Sequence, residues 1–207
     1  MRFLLLFSVL IVTIPSYSQN HFKNGKTVEF RFNQSSTSGI DRIYFCNDTL
    51  CEGLLEQLDS NNQILSQAQF SNGKQNGIFR RYHSNGNIAV IGNMVENCRQ
   101  GLVVTYYPSG KIKSTEYFPP NTCGIIEGTE MVSFYENSKI ETWYVYKEGW
   151  ELQFHYYFSS EGDTLGYMLP LKKDPTIFEE VNFESGEQVS RKLFRISEYG
   201  ERVYFKE

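Results

Sequence analysis

Four cysteines have the clearest potential for chemistry in this sequence. Cys46, Cys51, Cys98 and Cys123 include no Cys-x-x-Cys pair, and their spacing is not that of a zinc site. In an oxidising compartment an even number of cysteines indicates disulfides, and four cysteines allow three pairings. Free buried thiols are the alternative. The choice depends on where the chain is located and on which elements bring the cysteines together.

The remaining reactive groups are scattered. His21, His83 and His155 form no His-x-His or His-Glu-x-x-His pattern, and the sequence contains no Gly-x-Ser-x-Gly, phosphate-binding or dinucleotide-binding loop. The carboxylates show no obvious pair. We therefore expect no catalytic residue, no cofactor and no metal site, so the chain is predicted not to be an enzyme. A carbohydrate-binding or hydrolytic protein is a less favoured alternative.

The first 18 residues are typical of a signal peptide. Met1-Arg2 is followed by an apolar run over 3–14, and Ser16 and Ser18 supply the small residues of a cleavage site. A buried N-terminal strand is the alternative. The run is shorter than the roughly 20 residues of a membrane span, and no cysteine follows it for a lipid anchor. The sequence predicts an exported protein (periplasmic, cell-surface or secreted) without an integral membrane span after cleavage.

The composition limits the classes of molecule that the protein is expected to bind. The net charge is −4 and no basic block is present, which argues against a nucleic-acid partner and against docking on anionic lipid. Aromatic residues make up 15% of the chain, and aromatic residues favour strands.

A repeat of 24 residues organises the middle of the chain. Glycines recur at 53, 77 and 101, isoleucines recur at 64, 88 and 112, and turn residues such as Asn85-Gly86 and Ser109-Gly110 lie between them. Asn-Gly between half-apolar strands predicts a hairpin with a two-residue type I′ turn. The fold predicted is all-β: an antiparallel β-meander of consecutive hairpins forming an open, repeat-built sheet.

Strand alternation predicts which residues the sheet buries. It places one column of isoleucines on a single face, together with Phe70, Met94 and Phe118, and we expect this column to be buried. The column consists of Ile64, Ile88, Ile112 and Ile140. The opposite face carries Ile78 and Leu102 among polar residues and is predicted to be the wetter one.

The segments NGKQNGIFRRYHSNGNI and QGLVVTYYPSGKI resemble the variant form of the MORN repeat. The resemblance extends over about 46–145 and is best from Phe70 to Ile112. It implies a MORN-like sheet and a binding or scaffold protein without known catalytic residues. Similar bacterial proteins are the YwqK-family antitoxins, for which the implied role is to neutralise a toxin by contact.

The repeat also predicts a domain organisation. We assign 1–18 to the signal peptide, 19–45 to N-terminal strands that cap the sheet, 46–165 to MORN-variant repeats, and 166–207 to C-terminal hairpins or degenerate repeats. The expected function is that of a non-catalytic exported repeat protein that mediates protein–protein interaction. A structural cell-envelope component without a discrete ligand is the alternative.

The register favours one cysteine pairing. Cys98 and Cys123 fall in equivalent loops of successive repeats, and such loops emerge at the same border of a meander. Cys46 and Cys51 flank a single loop and can bridge it directly. The sequence therefore favours Cys46–Cys51 and Cys98–Cys123.

Aromatic residues supply the candidate binding surface, because tyrosine and tryptophan are enriched at protein interfaces. The candidates are Tyr82, Tyr106, Tyr107, Tyr135 and Trp143. The alternative is that these side chains form cross-strand ladders that stabilise the sheet.

Overall fold

The structure is a computed structural model that describes residues 21–22, 28–33, 41–121, 123, 128–146, 152–197 and 201–205. Within these ranges the chain forms 17 strands. The described residues contain no helix with the length and apolar character that a bilayer crossing requires. The predicted signal peptide lies outside the described residues.

The strands are, in chain order, β1 His21–Phe22, β2 Val28–Asn33, β3 Asp41–Cys46, β4 Thr49–Leu50, β5 Gly53–Leu58, β6 Ile64–Ser71, β7 Lys74–Tyr82, β8 Ile88–Val95, β9 Cys98–Tyr106, β10 Ile112–Phe118, β11 Glu130–Phe134, β12 Ile140–Tyr146, β13 Leu152–Phe158, β14 Thr164–Leu171, β15 Asp174–Glu184, β16 Glu187–Ile196 and β17 Arg202–Tyr204.

Fourteen of these strands form one open sheet. Strands β5 to β17 follow one another in sequence order, all antiparallel, and β1 pairs with β5 at one end. The predicted all-β meander of consecutive hairpins is confirmed. Strands β2, β3 and β4 form a separate small sheet. It is joined to the large sheet by hydrogen bonds from Tyr44 N–H to Gly73 O and from Gly73 N–H to Cys51 O, 2.7 and 3.0 Å long.

Tight two-residue turns join several pairs of adjacent strands. The central residues have positive φ in both positions, as a type I′ turn requires: 51° and 74° at Asn72-Gly73, and 51° and 69° at Glu96-Asn97. The turns at Asn47-Asp48 and Ser185-Gly186 have the same character. This turn type matches the right-handed twist of the strands that it connects.

The prediction of a type I′ turn at Asn85-Gly86 is wrong. His83 N–H donates to Asn87 O, Gly86 N–H donates to His83 O, and of the two predicted turn residues only Gly86 has a positive φ, 85°. This is a three-residue loop, a type I turn followed by one left-handed residue. The pairing that it sets is Tyr82 opposite Ile88, not Tyr82 opposite Ala89.

The same three-residue loop recurs along one border of the sheet. Equivalent pairs of hydrogen bonds close the loops that begin at Asp59, Tyr107, Tyr135 and Ser159. Turns of this class therefore alternate with two-residue turns at the opposite border through the central hairpins, which gives the 24-residue period its physical basis.

Glycine recurs at the first residue of β5 and at the fourth residue of β7 and of β9 because of the backbone conformation there. Gly53, Gly77 and Gly101 have φ values of 78°, 119° and 73°, in the left-handed region that side chains disfavour.

One face of the sheet is packed. Here Leu55, Phe79, Val103 and Phe118 are 1–8% exposed, and Phe79, Val103 and Phe118 form one cluster with Met94 beside it. Gly92 lies under this cluster, where a Cβ atom would come within 2.8 Å of both Phe79 and Val103. We call this side the packed face. Burial of each large apolar side chain contributes about 1.5–3 kcal/mol.

The prediction that the isoleucine column is buried on the packed face is wrong. Ile112 pairs with Tyr106 and Ile88 pairs with Tyr82, on the opposite face from Val103, because a register shift directly after each isoleucine interrupts the alternation along its strand. Ile112 and Ile140 are 43% and 38% exposed. They follow directly after the three-residue turns at the border of the sheet, where few neighbours cover them. The buried residues lie at mid-strand instead.

Both predicted disulfides are confirmed. Cys46–Cys51 spans the turn between β3 and β4, and Cys98–Cys123 joins the start of β9 to the segment after β10. The Cα–Cα distance is 4.9 Å in each pair, so the two loops carrying Cys98 and Cys123 do approach one another.

Adjacent residues of β9 provide a test of the two faces. Val103 is 1% exposed and Leu102 is 55% exposed. Val103→Asp should lower the free energy of unfolding by about 3 kcal/mol or more, because it buries an unpaired carboxylate. Leu102→Asp should change it by less than about 1 kcal/mol. Chemical denaturation of the two variants checks this, and equal losses would contradict the face assignment.

Ser138 provides a test of the turn geometry. It occupies the left-handed position of its loop with φ 70°, where the equivalent loops have Gly86 and Gly110. Ser138→Gly should raise the free energy of unfolding by about 0.5–1 kcal/mol, and Gly110→Ser should lower it by a similar amount. Thermal unfolding measures both, and the same sign for the two changes would rule out the shared geometry.

Candidate functional site

Large apolar side chains are exposed on the side of the sheet opposite the packed face. Leu54, Ile78, Leu102 and Tyr117 are 43–55% exposed, and each directly precedes a buried residue of its strand. Trp143 on β12 is 37% exposed. Alternation places all five on one side, which we call the open face. Successive hairpins thus present one apolar residue after another to the same side.

A shallow depression of about 530 Å³ lies in the middle of the open face. Its apolar lining comes from four neighbouring strands and the segment after them. It includes Ile78, Ile91, Leu102, Val104, Tyr117 and Pro120. Asn93 and Gln100 supply polar groups. A wide, apolar surface that also carries side-chain amides suits contact with another macromolecule.

Polar side chains border this apolar area. Tyr82 Oη donates to Gln67 Oε1 at 2.6 Å, and Gln67 Nε2 donates to Glu56 Oε1 at 2.7 Å, which forms a chain across three strands. On the other side, Trp143 Nε1 donates to Glu130 Oε1 at 2.7 Å. These bonds fix the side chains that flank the apolar residues.

Three of the five aromatic candidates therefore lie on the open face: Tyr82, Tyr106 and Trp143. Ile78, Leu102 and Tyr117 were not among the predicted binding residues, although the first two were assigned to the wetter face. The presence of apolar residues at positions predicted to face solvent could have identified this surface, because a contiguous exposed apolar patch indicates an interaction site.

Tyr107 and Tyr135 lie elsewhere, in the three-residue turns. Tyr107 Oη donates to Phe134 O, and Tyr135 Oη donates to Phe158 O, each at 2.8 Å. His83 Nε2 makes the equivalent contact with Tyr106 O at 2.9 Å. Each of these aromatic residues thus holds its own turn against the backbone of the next hairpin. Their position in this ladder supports the structural alternative for Tyr107 and Tyr135.

Other turn residues reinforce the ladder. Asn85 and Asn87 amides both donate to Pro108 O at 2.8 Å, and Lys111 Nζ donates to Glu136 O at 2.8 Å. Partial desolvation, together with the carboxylates of Glu141 and Glu136, raises the pKa of the Tyr107 hydroxyl. The hydroxyl therefore stays protonated and remains a donor.

A second group of aromatic residues forms a ladder across the later strands of the open face. Trp143 packs edge-on against Phe154 with ring centroids 5.0 Å apart, and Tyr156 and Tyr167 continue the series at 5.7 Å. These rings contact one another across strands, and such pairs stabilise antiparallel sheets.

His155 is a titratable group of the packed face with an unusual environment. It lies between Tyr144 and Tyr157, and its Nε2 atom is buried without a hydrogen-bond partner among the described residues. Burial and the positive charge of Arg202 lower the pKa of His155, and Glu180 opposes them. The imidazole is therefore neutral near pH 7.

Within the described ranges, no group of three or more histidine, cysteine or acidic side chains is arranged to hold a metal ion.

Comparison with known families supports the repeat assignment at its centre. The family described as the MORN repeat variant matches residues 75–96 and 99–118. These two segments correspond to hairpins β7–β8 and β9–β10, which line most of the depression. A comparison with curated proteins gives no significant match. The matched repeats define a repeat protein of the kind that takes part in protein or membrane interactions.

The turn ladder predicts the effect of removing one hydroxyl. Tyr107→Phe should lower the free energy of unfolding by about 0.5–1.5 kcal/mol, because Phe134 O loses its donor in a half-buried site. Tyr117→Phe, in an exposed position of the open face, should change it by less than about 0.5 kcal/mol. Urea denaturation measures both values, and a neutral Tyr107→Phe would contradict the role of the ladder.

Proposed function

We propose that the protein is a non-catalytic, exported repeat protein that binds another protein through the open face. The observation that carries the proposal is the exposure of Leu54, Ile78, Leu102, Tyr117 and Trp143 on one side of a regular sheet. Each leaves apolar surface in water, which is unfavourable by about 25 cal/mol for each Å² until a partner covers it.

The polar surroundings support a protein ligand. Interfaces between proteins have an apolar centre with aromatic residues and a polar, hydrogen-bonded rim. The open face has this arrangement: Leu102 and Tyr117 at the depression, and the Tyr82–Gln67–Glu56 chain and Glu130 around it. A toxin neutralised by contact, as the antitoxin-like resemblance implies, is one partner of this kind.

The two disulfides support an exported location for the protein. Both cysteine pairs are bonded, and stable disulfides are typical of oxidising compartments outside the cytosol. Together with the apolar leader that resembles a signal peptide, this supports a location in the periplasm, on the cell surface or in the medium. A soluble exported partner would be accessible there.

Two exposed isoleucines provide a matched test. Ile78 is 43% exposed on the open face. Ile196 is 48% exposed and lies two residues after the buried Phe194 of β16, on the packed side. A photo-crosslinking residue at Leu102 in the exporting cells would capture the partner. Ile78→Arg should then raise the dissociation constant of the purified complex by about tenfold or more, as measured by calorimetry. Ile196→Arg should leave the dissociation constant within about twofold of the wild-type value.

The outcomes separate the alternatives. Equal weakening by both substitutions would show that the open face is not the binding surface. Crosslinks from Leu102 to many envelope components, with none dominant, would favour the structural cell-envelope role instead.

A further inference from the structure

The two disulfides differ in their exposure to solvent. Cys46 and Cys51 are 7% and 0% exposed and belong to a buried apolar cluster. Cys123 is exposed, and Cys98 is half-buried at the start of β9. A thiolate breaks a disulfide by attacking one of its sulfur atoms directly, so access decides which bond reacts. Cys98–Cys123 is therefore the accessible bond, and Cys46–Cys51 is protected.

The accessible disulfide lies beside the depression of the open face. Gln100 and Pro120 both line the depression. Gln100 follows Cys98 closely on β9, and Pro120 shortly precedes Cys123 in the segment after β10. The disulfide therefore links two parts of the chain that each contribute to the lining.

Strand pairing does not extend to Pro120. The ladder between β9 and β10 ends where Phe118 lies opposite Gly101. Pro119 and Pro120 follow, and neither has an N–H group that could continue the ladder. The segment is thus fixed before the prolines by the pairing and burial of Phe118, and after them by the bond at Cys123. The position of Pro120 depends on this bond.

The exposure of the two cysteines also determines the course of the exchange. An incoming thiolate reaches the sulfur of Cys123, forms a new S–S bond to it and displaces Cys98 as a thiolate. The Cys98 thiolate takes up a proton from water at neutral pH. Its sulfur lies 3.7 Å from Glu96 O, so the thiol has an acceptor. A second thiol can then release Cys123, which leaves both cysteines reduced and the two thiols joined in one disulfide.

We propose that Cys98–Cys123 is a thiol-exchange site, at which a thiol forms a mixed disulfide with Cys123 and releases Pro120 from the lining of the depression. In the oxidised protein the bond holds Pro120 in place. After exchange the depression changes shape while the hairpins stay paired. The significance of this change for binding rests on the function proposed above for the open face, whereas the exchange itself does not.

Selective reduction tests the site. The oxidised protein is treated in one arm with glutathione and in another with thioredoxin, a protein dithiol, and is then alkylated and mapped by mass spectrometry. Cys98–Cys123 should open at least about tenfold faster than Cys46–Cys51, with glutathione attached to Cys123. Selective opening in either arm supports the proposal, and the arm that reacts identifies the source of the thiol. Equal rates for the two disulfides, or glutathione attached only to Cys98, would overturn it.

NMR spectroscopy tests the effect on the depression. In the double variant Cys98→Ser/Cys123→Ser, the amide of Asn121 should exchange with solvent at least about tenfold faster than in the wild type. The methyl resonances of Leu102, which lines the depression, should shift, and those of Leu55 on the packed face should not.

Wild-type protein opened by glutathione gives the same comparison without a substitution. Unchanged exchange at Asn121 and unchanged Leu102 resonances in the opened protein would overturn the proposal. Neither measurement needs a partner, so a failure here is distinct from a failure of binding through the open face.

Discussion

The hydrogen-bonded pairing of each hairpin with the next is the constraint on which the whole structure depends. The large sheet is a single layer. Among the described residues, only the small sheet β2–β4 packs on it, where Tyr44 and Cys46 contact the cluster of Leu55 and Phe70 at one end of the packed face. Val103 on β9 becomes buried only because Phe118 on β10 and Phe79 on β7, which reaches it across Gly92 of β8, lie on the same face. A hairpin taken alone would expose these residues. Stability is therefore shared between neighbours, as in other repeat proteins.

The turns fix this pairing. Two-residue type I′ turns connect the strands at one border of the sheet, and three-residue turns connect them at the other. In the three-residue turns, Tyr107 and Tyr135 donate hydrogen bonds to the backbone of the following hairpin. Fixing the register this way determines which side chains reach each face. The exposed row from Leu54 to Trp143 is thus a direct result of turn geometry, because a slip of one residue would exchange it with the buried row.

Much of this could be predicted from the sequence. The spacing of Gly77 and Gly101 and the turn residues between them gave the meander, and the equivalence of the loops gave both disulfides. The turn class at Asn85-Gly86 was wrong because Asn-Gly fits both a two-residue and a three-residue loop, and only the backbone hydrogen bonds distinguish them. The roles of Tyr107 and Tyr135 could not be read either, since a hydroxyl that binds a carbonyl about 25 residues away leaves no local pattern.

The Cys98–Cys123 bond also has a mechanical consequence. If the ends of the chain were pulled apart across the sheet, the strands would separate one after another, since each is held mainly by its neighbours. The disulfide has a sequence separation of 25 residues, so it withholds roughly 80 Å of extended chain from that process. Under tension β9 and β10 would therefore remain tethered after the strands around them had parted, and the centre of the sheet would serve as a stop against further extension.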